Sequence, residues 1–148
     1  MTRTLQTHEI FIQTTPEKLW DAMTNAAVTP QYFFGTAVSS SFKPNEPIVY
    51  GFGPGGPKAV DGKVLEAQPG KKLVHTWTIH YDPTLIGESS RVSYDIEPRG
   101  EAVKLTVTHE MEKAPLTAKH LEKDGWSKVL SGLKTLLETG KPLVLPRQ

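Results

Sequence analysis

Residues 103–109, Val-Lys-Leu-Thr-Val-Thr-His, alternate apolar and polar side chains. After a short loop, Leu121, Trp126, Val129, Leu130, Leu133, Leu136 and Leu137 recur along one helical stripe. A strand with this alternation has one face to bury, because successive side chains point to opposite sides. A stripe at helical spacing is a cover for such a face. The pairing predicts a sheet face closed by one long helix over 117–139, roughly 34 Å at 1.5 Å rise per residue. Gly140 is placed to end that helix in a left-handed conformation, and Pro142 prevents its resumption.

The same alternation appears twice more. Leu73, His75, Trp77 and Ile79 alternate with Val74, Thr76, Thr78 and His80, and Val92, Tyr94 and Ile96 alternate with Arg91, Ser93, Asp95 and Glu97. Strands are expected over 4–13, 36–42, 47–52, 58–67, 71–80, 89–97 and 102–111, separated by Gly-, Pro- and Asn-rich turns. Their short connections favour antiparallel neighbours, since a parallel crossover needs a dozen or more residues. Thr15-Pro16-Glu17 is a helix start: a capping hydroxyl, a proline suited to the first position and an acid at the positive end of the dipole. A second short helix is expected from Thr29-Pro30 to Gly35. The class is α+β. The sheet must curl, because one helix about 10 Å wide cannot cover six or seven flat strands.

Composition narrows the function classes. The chain has 148 residues, 37% hydrophobic and 22% charged, with a formal net charge of +1 and no cysteine. Disulfides, thiolate catalysis and cysteine-based metal sites are thereby excluded. A near-zero net charge without a basic, aromatic-interleaved helix argues against nucleic acid, and no stretch approaches the roughly 20 apolar residues of a membrane span. A cytoplasmic location is the corresponding expectation. Gly51-Phe52-Gly53-Pro54-Gly55-Gly56 formally fits a dinucleotide fingerprint, but the prolines and the strand-like segment after it deny the helix such a site requires. It reads as a hairpin loop, with Phe52 at its rim.

With these elements in order, the chain resembles the START-like (SRPBCC) superfamily, and within it the branch of the activator of Hsp90 ATPase C-terminal-like domain. The resemblance is carried by residues 15–24 (TPEKLWDAMT), 73–77 (LVHTW), 91–98 (RVSYDIEP) and 105–110 (LTVTHE). Gly125-Trp126 with Leu130, Leu133 and Leu137 completes it. It implies a helix-grip (START/Bet v 1-like) fold, in which a curved antiparallel sheet wraps around one long C-terminal helix. Residues 1–140 would form a stand-alone domain of this kind, and 141–148 a tail. It further implies a cavity between helix and sheet, as in small hydrophobic-ligand carriers.

On that expectation the walls are Trp77, Ile79, Val92, Val107, Val129, Leu130 and Leu133. His75 and His109 are polar anchors joined by the Tyr94 hydroxyl, the few convergent polar groups that orient a ligand in an apolar pocket. Phe33 and Phe34 should divide between packing and gating, with Phe52 at the mouth. Trp126 reads as core, and Glu88 and Arg91 as solvated strand charges. No three acids or histidines converge on a metal, and no cofactor is implied. The first reading is a binder of a small hydrophobic or aromatic molecule. An enzyme of the cyclase or dehydratase kind using His109 and Tyr94 stays open beside it, as does a chaperone-related interaction module. Oligomeric state is not legible.

Overall fold

The computed structural model describes residues 4–53 and 56–145. The Pro54-Gly55 part of the expected hairpin loop, and residues 146–148 of the expected tail, lie outside them. Seven strands form one antiparallel sheet: β1 (Leu5–Ile12), β2 (Ala37–Ser40), β3 (Pro47–Gly51), β4 (Lys58–Gln68), β5 (Lys72–Ile79), β6 (Ser90–Arg99) and β7 (Ala102–Glu110). Their order is β1-β7-β6-β5-β4-β3-β2, so every pair except β1–β7 is joined by a hairpin or meander connection. Helix α1 (Pro16–Thr24) starts as its sequence dictates. The Thr15 hydroxyl accepts from the Lys18 N–H at 3.2 Å, and Pro16 stands in the first turn.

Alternation placed the core well. Leu73, His75, Trp77 and Ile79 are buried together with Val92, Tyr94, Ile96, Val103, Leu105, Val107 and His109. The exposed edge of β1 is tied to the C-terminal helix. The Lys134 ammonium donates to the Phe11 carbonyl at 2.7 Å, and the Gln13 N–H donates to the Glu138 carboxylate at 2.8 Å.

Two helices differ from expectation. Thr29–Gln31 is a single 3₁₀ turn, followed by Phe34 and Gly35 at φ 52° and 71°. The continuous helix over 117–139 is instead two: α2 (Pro115–His120) and α3 (Gly125–Thr139), divided by Asp124 at φ 57°. The reason is geometric. Leu121 and Trp126 are both buried, but five residues advance a straight helix by roughly 140°, which would turn one of them outward. A left-handed residue, tolerated by aspartate, re-aims the chain so that both face inward. Helix α3 therefore spans roughly 22 Å, and Gly140 ends it at φ 77°, its N–H bonded to the Leu136 carbonyl.

Candidate functional site

The interior between α3 and the sheet is nearly filled. Met23, Tyr32, Phe33, Tyr50, Leu73, Tyr94, Leu105, Trp126, Val129, Leu130 and Leu133 enclose only about 20 Å³, room on the order of one water. Open volume lies at one end of the sheet, beside this interior. There a cleft of about 450 Å³ is walled by Phe33, Phe34 and Thr36 after the 3₁₀ turn, and by Tyr50 and Phe52 at the end of β3. Ala59 and Val60 of β4, Trp77 of β5 and Tyr81 beyond it continue the wall, which the α2–α3 junction, His120, Leu121 and residues 123–125 with Lys128, completes. Phe33 and Tyr50 touch both volumes. Their rings stack at 4.5 Å and 14°, and the pair forms the partition between cleft and interior.

The expected site residues thus fall into three groups. Phe33, Phe34, Phe52 and Trp77 meet in the cleft. Tyr94, Val129, Leu130 and Leu133 face the small interior void, with Phe33. His75, Ile79, Val92, Val107 and His109 are buried and line neither volume. Phe33 is packed while Phe34 is 54% exposed, held in a left-handed conformation that a bulky side chain rarely adopts. Such strain costs about 1–3 kcal/mol and persists where surrounding structure imposes it.

Beneath the cleft runs an aromatic and hydrogen-bonded cluster. His75 is held between the Thr76 carbonyl, at 2.7 Å from Nδ1, and the Tyr94 hydroxyl, at 3.0 Å from Nε2. A carbonyl only accepts, so Nδ1 carries the proton and Nε2 accepts from the tyrosine. His109 has the opposite tautomer. The Trp126 indole donates to its Nδ1 at 3.1 Å, so Nε2–H donates to Ser90 Oγ at 2.7 Å, and the Ser90 hydroxyl passes on to the Trp77 carbonyl at 3.3 Å. Tyr94 therefore bonds His75 and does not join the two histidines. Trp126 and Ser90 already occupy both nitrogens of His109. Burial lowers His75 to about 4, and burial together with the nearby His75 and His8 lowers His109 to about 3. Both are neutral at pH 7. Burial also holds the Tyr50 and Tyr94 phenols above their ordinary range, so neither is a phenolate.

One polar atom is left out. The Trp77 indole N–H is the single buried side-chain nitrogen or oxygen, among the described residues, without a hydrogen-bond partner.

The wall supplied by α2 is strapped down. Glu88 accepts from the Leu116 N–H at 3.1 Å, the Thr117 N–H at 2.7 Å and the Thr117 hydroxyl at 2.9 Å, and Tyr81 bonds His120 at 2.8 Å. Glu88 is thus a cap for α2 and not a solvated strand charge. Its carboxyl sits below the usual range: desolvation pushes it up, and the Thr117 and Leu116 donors pull it further down. Glu88→Ala should cost about 1–2 kcal/mol, in the range of a lost helix cap. Faster amide exchange confined to 115–121 would register it; unchanged exchange there would refute the strapping role.

Sequence reasoning missed the α2–α3 junction, Tyr50, Tyr81 and Ser90. Asp124-Gly125 was the available signal, a turn dipeptide inside an otherwise helical pattern.

Comparison with known proteins agrees with this architecture. The family described as Activator of Hsp90 ATPase homolog 1-like protein matches residues 13–138. DynU16, from the dynemicin biosynthetic locus, superposes with a TM-score of 0.76 at 22% identity over 95% of this chain, which spans about half (49%) of that protein. The Aha1 dimer of Colwellia psychrerythraea gives 0.70 at 24% identity, covering 94% of this chain and 99% of its own. An Hsp90 activator from Plasmodium falciparum gives 0.71 at 19%, covering 91% and 96%. At these identities the structures establish the fold. No curated protein matches the chain in sequence. No helix among the described residues is long and apolar enough to cross a membrane.

Proposed function

The chain belongs to the activator of Hsp90 ATPase homolog 1-like family, and from that premise we propose that it binds a small, largely apolar aromatic molecule in the cleft at the end of the sheet. The observation that carries this reading is the cleft itself: about 450 Å³, walled by Phe33, Phe34, Tyr50, Phe52, Trp77 and Tyr81. Apolar and aromatic walls with a few polar groups are the usual make-up of small-molecule sites. Phe34 and Phe52 are 54% and 42% exposed, so a flat ligand would bury ring surface that now faces water.

A thermal-shift screen with flavonoids, aromatic polyketides and fatty acids tests it. Ligand at a hundredfold excess over Kd adds about 2.7 kcal/mol, a Tm rise of roughly 5–10 °C for a chain this size. Phe34→Gly should separate binding from folding. It relieves the left-handed strain, raising stability by about 1 kcal/mol, while removing a wall and weakening binding severalfold. Absence of any ligand-dependent shift would overturn the reading.

A second reading is chaperone docking. Family membership favours it, as do the exposed Tyr81, Ile86 and Leu116 around α2. Titration with Hsp90, with and without the tightest aromatic ligand, distinguishes the two: competition places the partner on the same rim. The cyclase or dehydratase reading has less support. His109 is buried, doubly hydrogen-bonded and far too weak a base at about 3 for a group that works best near ambient pH.

A further inference from the structure

Building on the cleft as a ligand site, we propose that Trp77 selects its ligand: the inserted end must carry a hydrogen-bond acceptor, a carbonyl or equivalent oxygen or nitrogen, which takes the indole N–H.

The polar groups beneath the cleft are matched with partners, with one exception. Three indole N–H groups exist in the chain, on Trp20, Trp77 and Trp126. The Trp126 donor is spent on His109. His75 has a partner on each ring nitrogen, His109 likewise, and the Ser90 hydroxyl closes the chain on the Trp77 carbonyl. Trp77 itself is only 4% exposed, lines the cleft, and leaves its indole nitrogen unpartnered. Buried donors are nearly always satisfied, and one that is not stands out as a place for a partner from outside. An indole can only donate. A ligand bearing a donor at that end, a phenol O–H pointed inward for example, would not satisfy it, and a pure hydrocarbon would leave it as unpaired as it is in the free chain. Discrimination comes from the gain: the donor is already out of water and unpaired, so only a ligand with an acceptor recovers the hydrogen bond.

The aromatic surroundings suit a flat acceptor. Trp77 is flanked by Phe33 at 6.0 Å, Tyr50 at 6.3 Å and Trp126 at 5.5 Å between ring centroids. An aryl ketone sliding between the exposed rings of Phe34 and Phe52 would bring its oxygen to this floor while its ring stays among aromatic faces.

The test pairs two probes of closely similar shape, 2-acetylnaphthalene and 2-ethylnaphthalene. Each is titrated into the ¹⁵N-labelled chain while the three indole N–H resonances are followed, with dissociation constants from the same titrations. The expected result is at least about tenfold tighter binding of the ketone. A downfield move of the Trp77 indole proton should accompany the ketone only. Trp77→Phe should bring the two probes to equal affinity. Equal affinity in the wild-type chain, or an indole proton unmoved by bound ketone, would overturn the acceptor rule while leaving the cleft as a ligand site. Binding of neither probe at the cleft would overturn both. Should Trp77→Phe fold poorly, the wild-type indole resonance still decides.

Discussion

Acidification from pH 7 to pH 5 is expected to remove much of the stability of this protein, well before its carboxylates are titrated. The cause is the pair of histidines beneath the cleft. Their folded values lie at about 4 for His75 and about 3 for His109, against roughly 6.5 in an unfolded chain. Below pH 6.5 the unfolded state therefore binds protons that the folded state refuses, and stability falls as pH falls. The contribution is complete above 6.5 and is withdrawn progressively down to the folded values. A tenfold weaker hold on a proton corresponds to about 1.4 kcal/mol, so the two histidines together withdraw several kcal/mol by pH 4, against a total of about 5–15 kcal/mol for a typical domain. Protonating His109 also breaks its network, since Nδ1 would then meet the Trp126 indole, which can only donate. Carboxylates with lowered values, such as Asp61 and Asp82, weaken the fold only below about pH 5. Urea unfolding at pH 7, 6 and 5 isolates the histidine window. The slope should approach 2–3 kcal/mol per pH unit between 6 and 5, the limit for two protons, and His109→Gln should roughly halve it. A flat profile between pH 7 and 5 would refute the buried neutral pair.

The histidines also show how far the sequence could be read. Their burial followed from alternation on β5 and β7, because a period of two admits only one inward face. Their partners did not follow. Ser90 stands at the first position of β6, inside the expected strand 89–97, where nothing in the pattern marks it as a partner of His109. It meets His109 only because the register pairs Arg91 with Glu110 and Val92 with His109, bringing the start of β6 to the end of β7. The filled interior was hidden for a different reason. Pattern gives which residues face inward but not whether their volumes leave space. Here Tyr32, anchored by its hydroxyl to the Ala22 carbonyl at 2.7 Å, packs directly over Gly132 of α3 and takes up room that the helix-grip arrangement offers a ligand. The cleft that remains is built from the parts least periodic in sequence: the turn after Gln31, the end of β3 and the α2–α3 break. Loops carry binding residues on a rigid scaffold because they are free of the scaffold's periodicity, and for the same reason they are hard to place from pattern.

A change of one methyl group on the scaffold should damage both stability and site. A Cβ at Gly62 of β4 would lie 1.9 Å from the Thr76 carbonyl oxygen and 2.8 Å from its hydroxyl. The obstacle is backbone, so no rotamer change relieves it, and β4 must move away from β5. The β4–β5 ladder is already irregular there: the Lys63 N–H bonds the Thr76 hydroxyl at 2.8 Å, and the register shifts between Val64 and Glu66. Thr76 also lies between the two residues that matter most. Its carbonyl accepts the Nδ1 proton of His75, and the next residue is Trp77. Gly62→Ala is expected to cost about 3 kcal/mol or more, at or above the upper end for overpacking, and to lower Tm by roughly 6–12 °C. It should disturb the Trp77 indole resonance more than that of Trp20. Gly87→Ala is the matched control. Its added Cβ meets nothing within 4 Å, and its effect should stay within about 0.5 kcal/mol. Equal melting temperatures for the two variants would mean that β4 and β5 do not approach this closely at Thr76. The floor of the cleft would then need another account of how Trp77 is held.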